Sequence, residues 1–185
     1  MSPGPSDAAP RGAVTDAAGF EAVVADVWLP LQRYLRRRAD PVMAEDVLGD
    51  VLLVMWRRRD DLPVDAALPW CYAIARRCLA NARRGEERHL RLVHRLADEP
   101  LGPEPSDDPA LDAALTLRSP ADRELLRLWA WEGLSPREIA TVLDITANAA
   151  SVRLHRALGR LRKDLGKNGA GGGHALGWQG EEASD

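Results

Sequence analysis

The sequence predicts an all-α fold, and its composition favours helices over sheets. The 185 residues include 29 Ala and 26 Leu, against only 12 Val and 3 Ile. Residues that favour helices therefore far outnumber the β-branched residues that strands prefer. Hydrophobic residues make up 45% of the chain, which is enough for a core and excludes a protein that is disordered throughout.

Charge divides the chain into blocks that the net charge of −3 conceals. Two basic blocks, each with a net charge of +3, flank a short segment that has five acidic residues, no basic residue and four prolines. Such a segment cannot bury a core, so we predict two small helical domains joined by an acidic flexible linker. The predicted parts are a disordered N-terminus at 1–15, a first domain at 16–97, the linker at 98–110, a second domain at 111–167 and a disordered tail at 168–185.

The chain carries no pattern typical of a membrane span, a disulfide or a metal site. Its longest apolar run, Val51–Trp56, is far shorter than the roughly 20 residues that cross a bilayer. Cys71 and Cys78 would lie about 10 Å apart along one helix, too far for a disulfide, and no histidine stands at zinc-ligand spacing. We therefore expect no cofactor, no metal, no membrane insertion and a cytoplasmic location.

Cap signals and a proline place the first two helices. Residues 16–38 predict a helix that Pro30 kinks or divides. Asp40 supplies an N-cap and Pro41 a first-turn proline for a second helix, which runs to about Arg59. Spacings of three, four and seven give this second helix an apolar face, formed by Val47, Leu48, Val51, Leu52 and Met55.

A second face of that helix combines carboxylates, a glycine and two large apolar side chains. We call it the docking face: Asp46, Gly49, Asp50, Leu53 and Trp56. One interpretation is a solvated surface that happens to include a tryptophan. The other is a docking surface, because an exposed acidic and apolar stripe suits a basic partner helix.

A third helix is predicted from about Pro69 to beyond Arg88, and one of its faces is rich in arginine. Arginine neutralises phosphates, asparagine reads base edges and aromatic rings stack on unpaired bases, so this face suits nucleic acid. The alternative is a helix that arginine merely keeps soluble. The residues singled out are Trp70, Arg76, Arg77, Asn81 and Arg84.

The second block predicts a helix-turn-helix. After a short apolar helix at 111–117, Ser119 caps a helix that ends at Gly133, a C′ glycine. Ser135 and Glu138 match a capping box that opens a helix through Leu143. Thr146 then caps a final helix to about residue 165, whose exposed start would enter the major groove. An ordinary helical hairpin is the alternative, and the candidate contact residues are Asn148, Ser151, Arg153, His155 and Arg156.

Three stretches in this order resemble the sigma-70 family of bacterial transcription initiation factors, and above all its extracytoplasmic-function group. They are AEDVLGDVLLVMWRR at 44–58, LPWCYAIARRCLANARRGEER at 68–88 and EGLSPREIATVLDITANAASVRLHRALGRLR at 132–162. The resemblance covers about residues 20–165. It implies that the first domain is sigma domain 2, a helical bundle, and that the second is sigma domain 4, which carries the helix-turn-helix.

The resemblance also implies partners and a mechanism. The protein would bind core RNA polymerase, through the β′ coiled coil at the docking face and through the β subunit. It would recognise the −10 and −35 promoter elements and help to melt the −10 region. The group commonly has an anti-sigma factor, which is a further expected partner.

The resemblance assigns DNA contacts to the third and final helices. The −10 group, which would capture the melted strand, is Trp70, Arg76, Arg77, Asn81 and Arg84. The −35 group, which would read duplex, is Thr146, Asn148, Ser151, Arg153, His155 and Arg156. The chain departs from the family pattern at Gly49, where glutamine is common, at Arg77, where asparagine is frequent, and at Ser151, where a basic residue is frequent. Val152 also replaces a small polar residue, so we predict a weaker or different base preference at the −35 element.

Other classes of protein are less consistent with these residues. A helix-turn-helix regulator that acts without polymerase would leave the docking face unused. A helical adaptor would show no salt-dependent affinity for DNA. An enzyme is the least favoured class, because the sequence has no P-loop, no G-x-S-x-G and no H-E-x-x-H.

Overall fold

The structure, a computed structural model, describes residues 16–93, 115 and 118–168, and within them it contains helices and no strand. The all-α prediction is confirmed. The helices are α1 (Ala17–Arg36), α2 (Pro41–Arg57), α3 (Ala67–Val93), α4 (Pro120–Ala130), α5 (Pro136–Leu143) and α6 (Ala147–Asn168). Two 3₁₀ turns, Arg59–Asp61 and Val64–Ala66, connect α2 to α3. The predicted linker, the N-terminal segment 1–15 and the tail beyond Asn168 lie outside the described residues.

Helices α1, α2 and α3 pack together as the first half of the protein. Asp16 and Asp40 are the N-caps of α1 and α2, and the Asp40 carboxylate accepts from the Val42 and Met43 amides at 3.0 Å each. The predicted interruption of α1 at Pro30 is wrong, because the helix runs unbroken through it. Tertiary packing explains this result, since Leu31 and the residues one turn later are fully buried.

The apolar face predicted for α2 is buried. Val47, Val51 and Met55 are at most 1% exposed, and they pack with residues of α1 and α3. Cys71 contributes to the same core, with its Sγ 3.7 Å from Met55 Sδ. Burial raises the pKa of the Cys71 thiol to about 12, so this cysteine is an unreactive core residue.

Helices α4, α5 and α6 form the second half. Ser119 caps α4, as predicted, by accepting from the Asp122 amide at 3.2 Å. However, α4 ends at Ala130 and not at Gly133. Gly133 lies in the turn that follows, where its φ of +66° suits a glycine, and the Leu134 amide donates to the Leu128 carbonyl at 3.1 Å.

The helix-turn-helix forms as its cap signals predict. Ser135 and Glu138 make a reciprocal capping box at the start of α5. Asp144, in the left-handed region with a φ of 57°, ends α5, and Thr146 Oγ1 accepts from the Ala149 amide at 3.1 Å to cap α6. These caps fix the angle at which α6 leaves the turn.

Removing the capping box tests its contribution to stability. Ser135→Ala leaves the Glu138 amide without its side-chain acceptor, so we expect a loss of about 1 kcal/mol in the free energy of unfolding. Denaturant titration followed by circular dichroism measures this loss. Ser151→Ala, at an exposed position inside α6, is the matched control and is expected to change stability by less than about 0.5 kcal/mol. Equal effects of the two substitutions would contradict the role given to the cap.

A buried polar cluster joins the two halves. The Arg38 side chain is 3% exposed and its Nε lies 3.2 Å from both carboxylate oxygens of Glu124. Its Nη1 donates to Glu132 Oε1 at 2.9 Å, while Arg37 Nη1 donates to Glu132 Oε2 at 3.0 Å. The Tyr34 hydroxyl donates to Glu124 Oε1 at 3.2 Å. We call these five residues the Arg38 cluster.

Candidate polymerase and nucleic-acid interfaces

The structure places the whole docking face on the solvent side of α2. All five of its residues are exposed, including Leu53 at 55% and Trp56 at 43%. The opposite side of α2 supplies the core, so the helix separates a packing face from a free face as the two sequence patterns predict. An exposed leucine and tryptophan beside two carboxylates form a surface that can bury apolar area and attract basic side chains.

Trp56 is held in place by its neighbours. The Phe20 ring meets it edge-on with a centroid separation of 5.1 Å, and the Arg59 guanidinium lies 4.6 Å from the centre of the Trp56 ring. Arg59 also donates to the Trp56 carbonyl at 3.0 Å. A side chain at Gly49 would meet no atom within 4 Å, so the absence of a side chain there keeps this face open and serves no packing need.

Four members of the −10 group lie together along α3. Their side chains are exposed, and they line one wall of an open cleft between the two halves: Arg76, Arg77, Asn81 and Arg84. Arg84 Nη2 donates to Asn81 Oδ1, which couples these two side chains. The fifth member, Trp70, is half-buried at the start of α3 and packs against the core. The Arg58 guanidinium lies 5.5 Å from the centre of its ring.

The cleft is rich in positive charge. Its second wall comes from α4, the end of α5 and α6, and Arg153 of the −35 group is part of it. Arg77 Nη2 lies 3.6 Å from Asp144 Oδ2 across the cleft. The arginines that line the cleft are Arg38, Arg76, Arg77, Arg83, Arg84, Arg127 and Arg153. So many guanidinium groups around one opening favour a polyanion.

The −35 group is exposed near the start of α6. Asn148, Ser151 and His155 follow one another at helical spacing, while the Thr146 hydroxyl is engaged in the N-cap. The opposite face of α6 is buried in the second half, at Ala150, Leu154, Ala157 and Leu161. This division is what a helix needs in order to enter a groove with one face and pack with the other.

Sequence reasoning missed three kinds of residue in these interfaces. Val152 is 40% exposed among the −35 residues, and an exposed valine there can contact a thymine methyl group. Its signal was available, because the buried positions of α6 fall on the other side. Arg83 and Arg127 line the cleft, but among so many arginines the sequence does not distinguish them. The glutamates of the Arg38 cluster carry no recognisable motif.

Two further searches covered the described residues only. No three His, Cys, Asp or Glu side chains there are grouped in a way that could hold a metal ion. No helix in the same part of the chain combines the length and the apolar character that a membrane crossing requires.

Comparison with known proteins gives consistent matches. The family described as "Sigma-70, region 4" matches residues 110–161. The chain is 31% identical over 166 residues to "ECF RNA polymerase sigma factor SigL" of Mycobacterium tuberculosis, which covers 83% of this chain and 92% of that one. It is 35% identical over 148 residues to "RNA polymerase sigma factor CarQ" of Myxococcus xanthus, covering 74% of this chain and 81% of the relative.

Two solved structures share the fold. The sigma factor RpoE in complex with the anti-sigma factor NepR, from Bartonella quintana, superposes with a TM-score of 0.62 at 21% identity, covering 80% of this chain and 96% of that one. CnrH in complex with the cytosolic domain of CnrY gives a TM-score of 0.58 at 22% identity, with coverage of 84% and 93%. The all-α arrangement is therefore one that known proteins adopt.

Proposed function

Because this chain belongs to the extracytoplasmic-function group of the sigma-70 family, we propose how its two halves divide the work of a transcription initiation factor. The first half, residues 16–97, is sigma domain 2, which binds core RNA polymerase and the melted −10 strand. The second half, residues 111–167, is sigma domain 4, which reads the −35 element as duplex. Residues 98–110 connect them as an acidic linker.

The docking face is the proposed contact with the β′ coiled coil. Its carboxylates, Asp46 and Asp50, and its apolar side chains, Leu53 and Trp56, are all exposed on one face of α2. A basic helix that lies along this face would pair with the carboxylates and cover the leucine and the tryptophan. Burial of the apolar pair supplies affinity, and the carboxylates fix the register.

The arginine-lined wall of α3 is the proposed site for the −10 strand. Arg76, Arg77 and Arg84 can neutralise successive phosphates, and Asn81 lies among them with an amide that can read a base edge. Trp70 is half-buried, so only part of its ring is available for stacking on an unpaired base. Because these contacts favour an unpaired strand, binding energy can drive melting without ATP.

The exposed face of α6 is the proposed −35 reader, and Val152 provides a sharp test. Replacing a −35 thymine by deoxyuridine removes only its methyl group. We expect one such position at which this change weakens duplex binding several-fold for the wild type and has no effect for Val152→Ala. Binding by the isolated protein is measured by fluorescence anisotropy at fixed salt, with Ser151→Ala as the matched control. A deoxyuridine scan that affects both valine and alanine forms equally would contradict the contact.

One observation carries the proposal: a single chain presents an acidic and apolar docking face on α2 and an arginine-lined face on α3. The test is run-off transcription with purified core polymerase on genomic promoter fragments, with and without this protein. New discrete transcripts that depend on the protein are the expected result. If no transcripts appear but the protein alone binds duplex DNA sequence-specifically, a helix-turn-helix regulator is the better assignment.

Partners follow from the same family membership. We assign core RNA polymerase and promoter DNA as partners, and an anti-sigma factor as a third, supported by the solved complex of RpoE with the anti-sigma factor NepR. A factor that works with polymerase acts in the cytoplasm. Its role is binding and strand capture, so the proposal gives it no catalytic residue.

A further inference from the structure

The two halves meet on the face that the −10 strand is proposed to use. Helix α3 packs against α5, and Arg77 of α3 lies 3.6 Å from Asp144 at the end of α5. Four −10 residues and Arg153 of α6 therefore line opposite walls of one cleft. In this arrangement the second half stands directly over the −10 face of the first.

This arrangement cannot engage a promoter at both elements. The centres of the −10 and −35 elements are about 25 base pairs apart, which is about 85 Å along B-form DNA. Side chains that form an ion pair at 3.6 Å belong to surfaces that would have to contact these two distant elements. The halves must therefore separate before both elements can be bound.

The contact that separation must break is the Arg38 cluster. Arg38 and Glu132 side chains are each 3% exposed, and Glu124 is 20% exposed. The Arg38 guanidinium also lies 3.7 Å from the centre of the Tyr34 ring, which stacks on Tyr72 at 4.8 Å. Every printed ion pair of Arg37 and Arg38 joins the first half to the second.

The chemistry of the cluster suits a contact that has to open. Burying an ion pair costs much of what the attraction returns, so a charged contact holds two surfaces less firmly than an apolar one of the same size. Arg38 Nη2 is buried and has no hydrogen-bond partner among the described residues, which weakens the contact further. When the halves part, water solvates all of these groups. The cluster therefore specifies one closed arrangement without making it permanent.

We propose that the Arg38 cluster is a latch that holds the free protein closed and covers its −10 face until the polymerase draws the two halves apart. This inference rests on the proposed function, because only a promoter with two separated elements requires opening. Separate binding sites for the two halves on the polymerase would supply the free energy of opening. The latch would also keep the free factor from binding single-stranded DNA before it reaches the polymerase.

Two variants with opposite expected effects test the latch. Glu124→Gln combined with Glu132→Gln keeps the side-chain sizes but leaves buried Arg38 without a charge partner, so it should open the protein. Arg38→Met combined with Glu124→Leu and Glu132→Leu replaces the charges by apolar groups of similar size, so it should stay closed. Asp122→Asn is the matched control, because it breaks the 2.6 Å pair with Arg160 inside the second half.

The readouts are the radius of gyration from small-angle scattering and the Kd for a single-stranded −10 oligonucleotide. For the glutamine double variant we expect an expanded particle with unchanged helix content and a Kd lowered about tenfold or more, because the open fraction limits apparent affinity. The apolar variant and the control should be as compact as the wild type, with no lower Kd. A glutamine variant as compact as the wild type, with the same Kd, would overturn the latch. Absence of wild-type run-off transcripts would instead overturn the proposed function, so the two failures are distinguishable.

Discussion

Asp46→Arg and Asp50→Arg are each expected to abolish transcription that depends on this protein. Both carboxylates are exposed on the docking face, beside Leu53 and Trp56. Reversing either charge places a cation against the basic partner helix, so we expect a loss of about 2 kcal/mol or more in affinity, or about 30-fold. Affinity for core polymerase is measured directly, and run-off transcription reports the consequence.

Asp26→Arg is the control for this charge reversal. Asp26 is exposed on α1 and is not part of the docking face, so the same change in net charge should leave both readouts near the wild-type values. Because all three positions are exposed, the variants should fold normally. Transcripts that survive both docking-face substitutions would keep the function but refute this placement of the polymerase interface.

The second large effect is expected from the double substitution of Asn81 and Arg84 by alanine. Both side chains are exposed in the cleft and hydrogen-bonded to each other. Loss of a charged contact and a base contact should lower open-complex formation on duplex promoters by about tenfold or more. On a template that is already unpaired at the −10 element, the defect should be smaller, because the cost of unpairing no longer has to be met by strand capture.

Arg33→Ala controls for removal of an exposed arginine. Arg33 lies on α1, away from the cleft. Permanganate reactivity of −10 thymines measures opening on the duplex, and strand affinity is measured on the unpaired template. Equal opening by the double variant and the wild type on duplex DNA would contradict the assignment of α3 to the −10 strand.

The helices and the helix-turn-helix could be predicted because their signals are local. Asp40, Ser119, Ser135 and Thr146 each make the cap contact that the sequence indicates. Pro30 is the exception, since a proline signal was overridden by the burial of the residues that follow it in α1. Local preference fails where tertiary packing is stronger.

The candidate site was predictable only within each helix. The docking face and most of the −10 group follow from helical spacing, and the structure places them together as expected. Trp70 differs, because spacing cannot tell that Arg58 and the core occupy much of its surface. Val152 differs in the other direction, since an apolar residue was expected to contribute nothing to a polar face.

The contact between the halves could not be predicted from the sequence. Arg37 and Arg38 belong to a run of arginines at the end of α1, and such a run normally indicates a solvated helix end. Their partners, Glu124 and Glu132, lie 86 to 95 residues away. No periodicity or cap signal connects residues at that separation, and only the folded structure shows that these charges are buried together.

The most direct test of the account is the distance between the halves before and after the protein joins the polymerase. Fluorophores at exposed Asp26 and Lys163, substituted by cysteine in a chain without Cys71 and Cys78, report that distance by energy transfer. The account predicts efficient transfer in the free protein and a large loss of transfer on a promoter, where the two elements are about 85 Å apart. Complexes that transcribe while transfer stays as high as in the free protein would contradict the account.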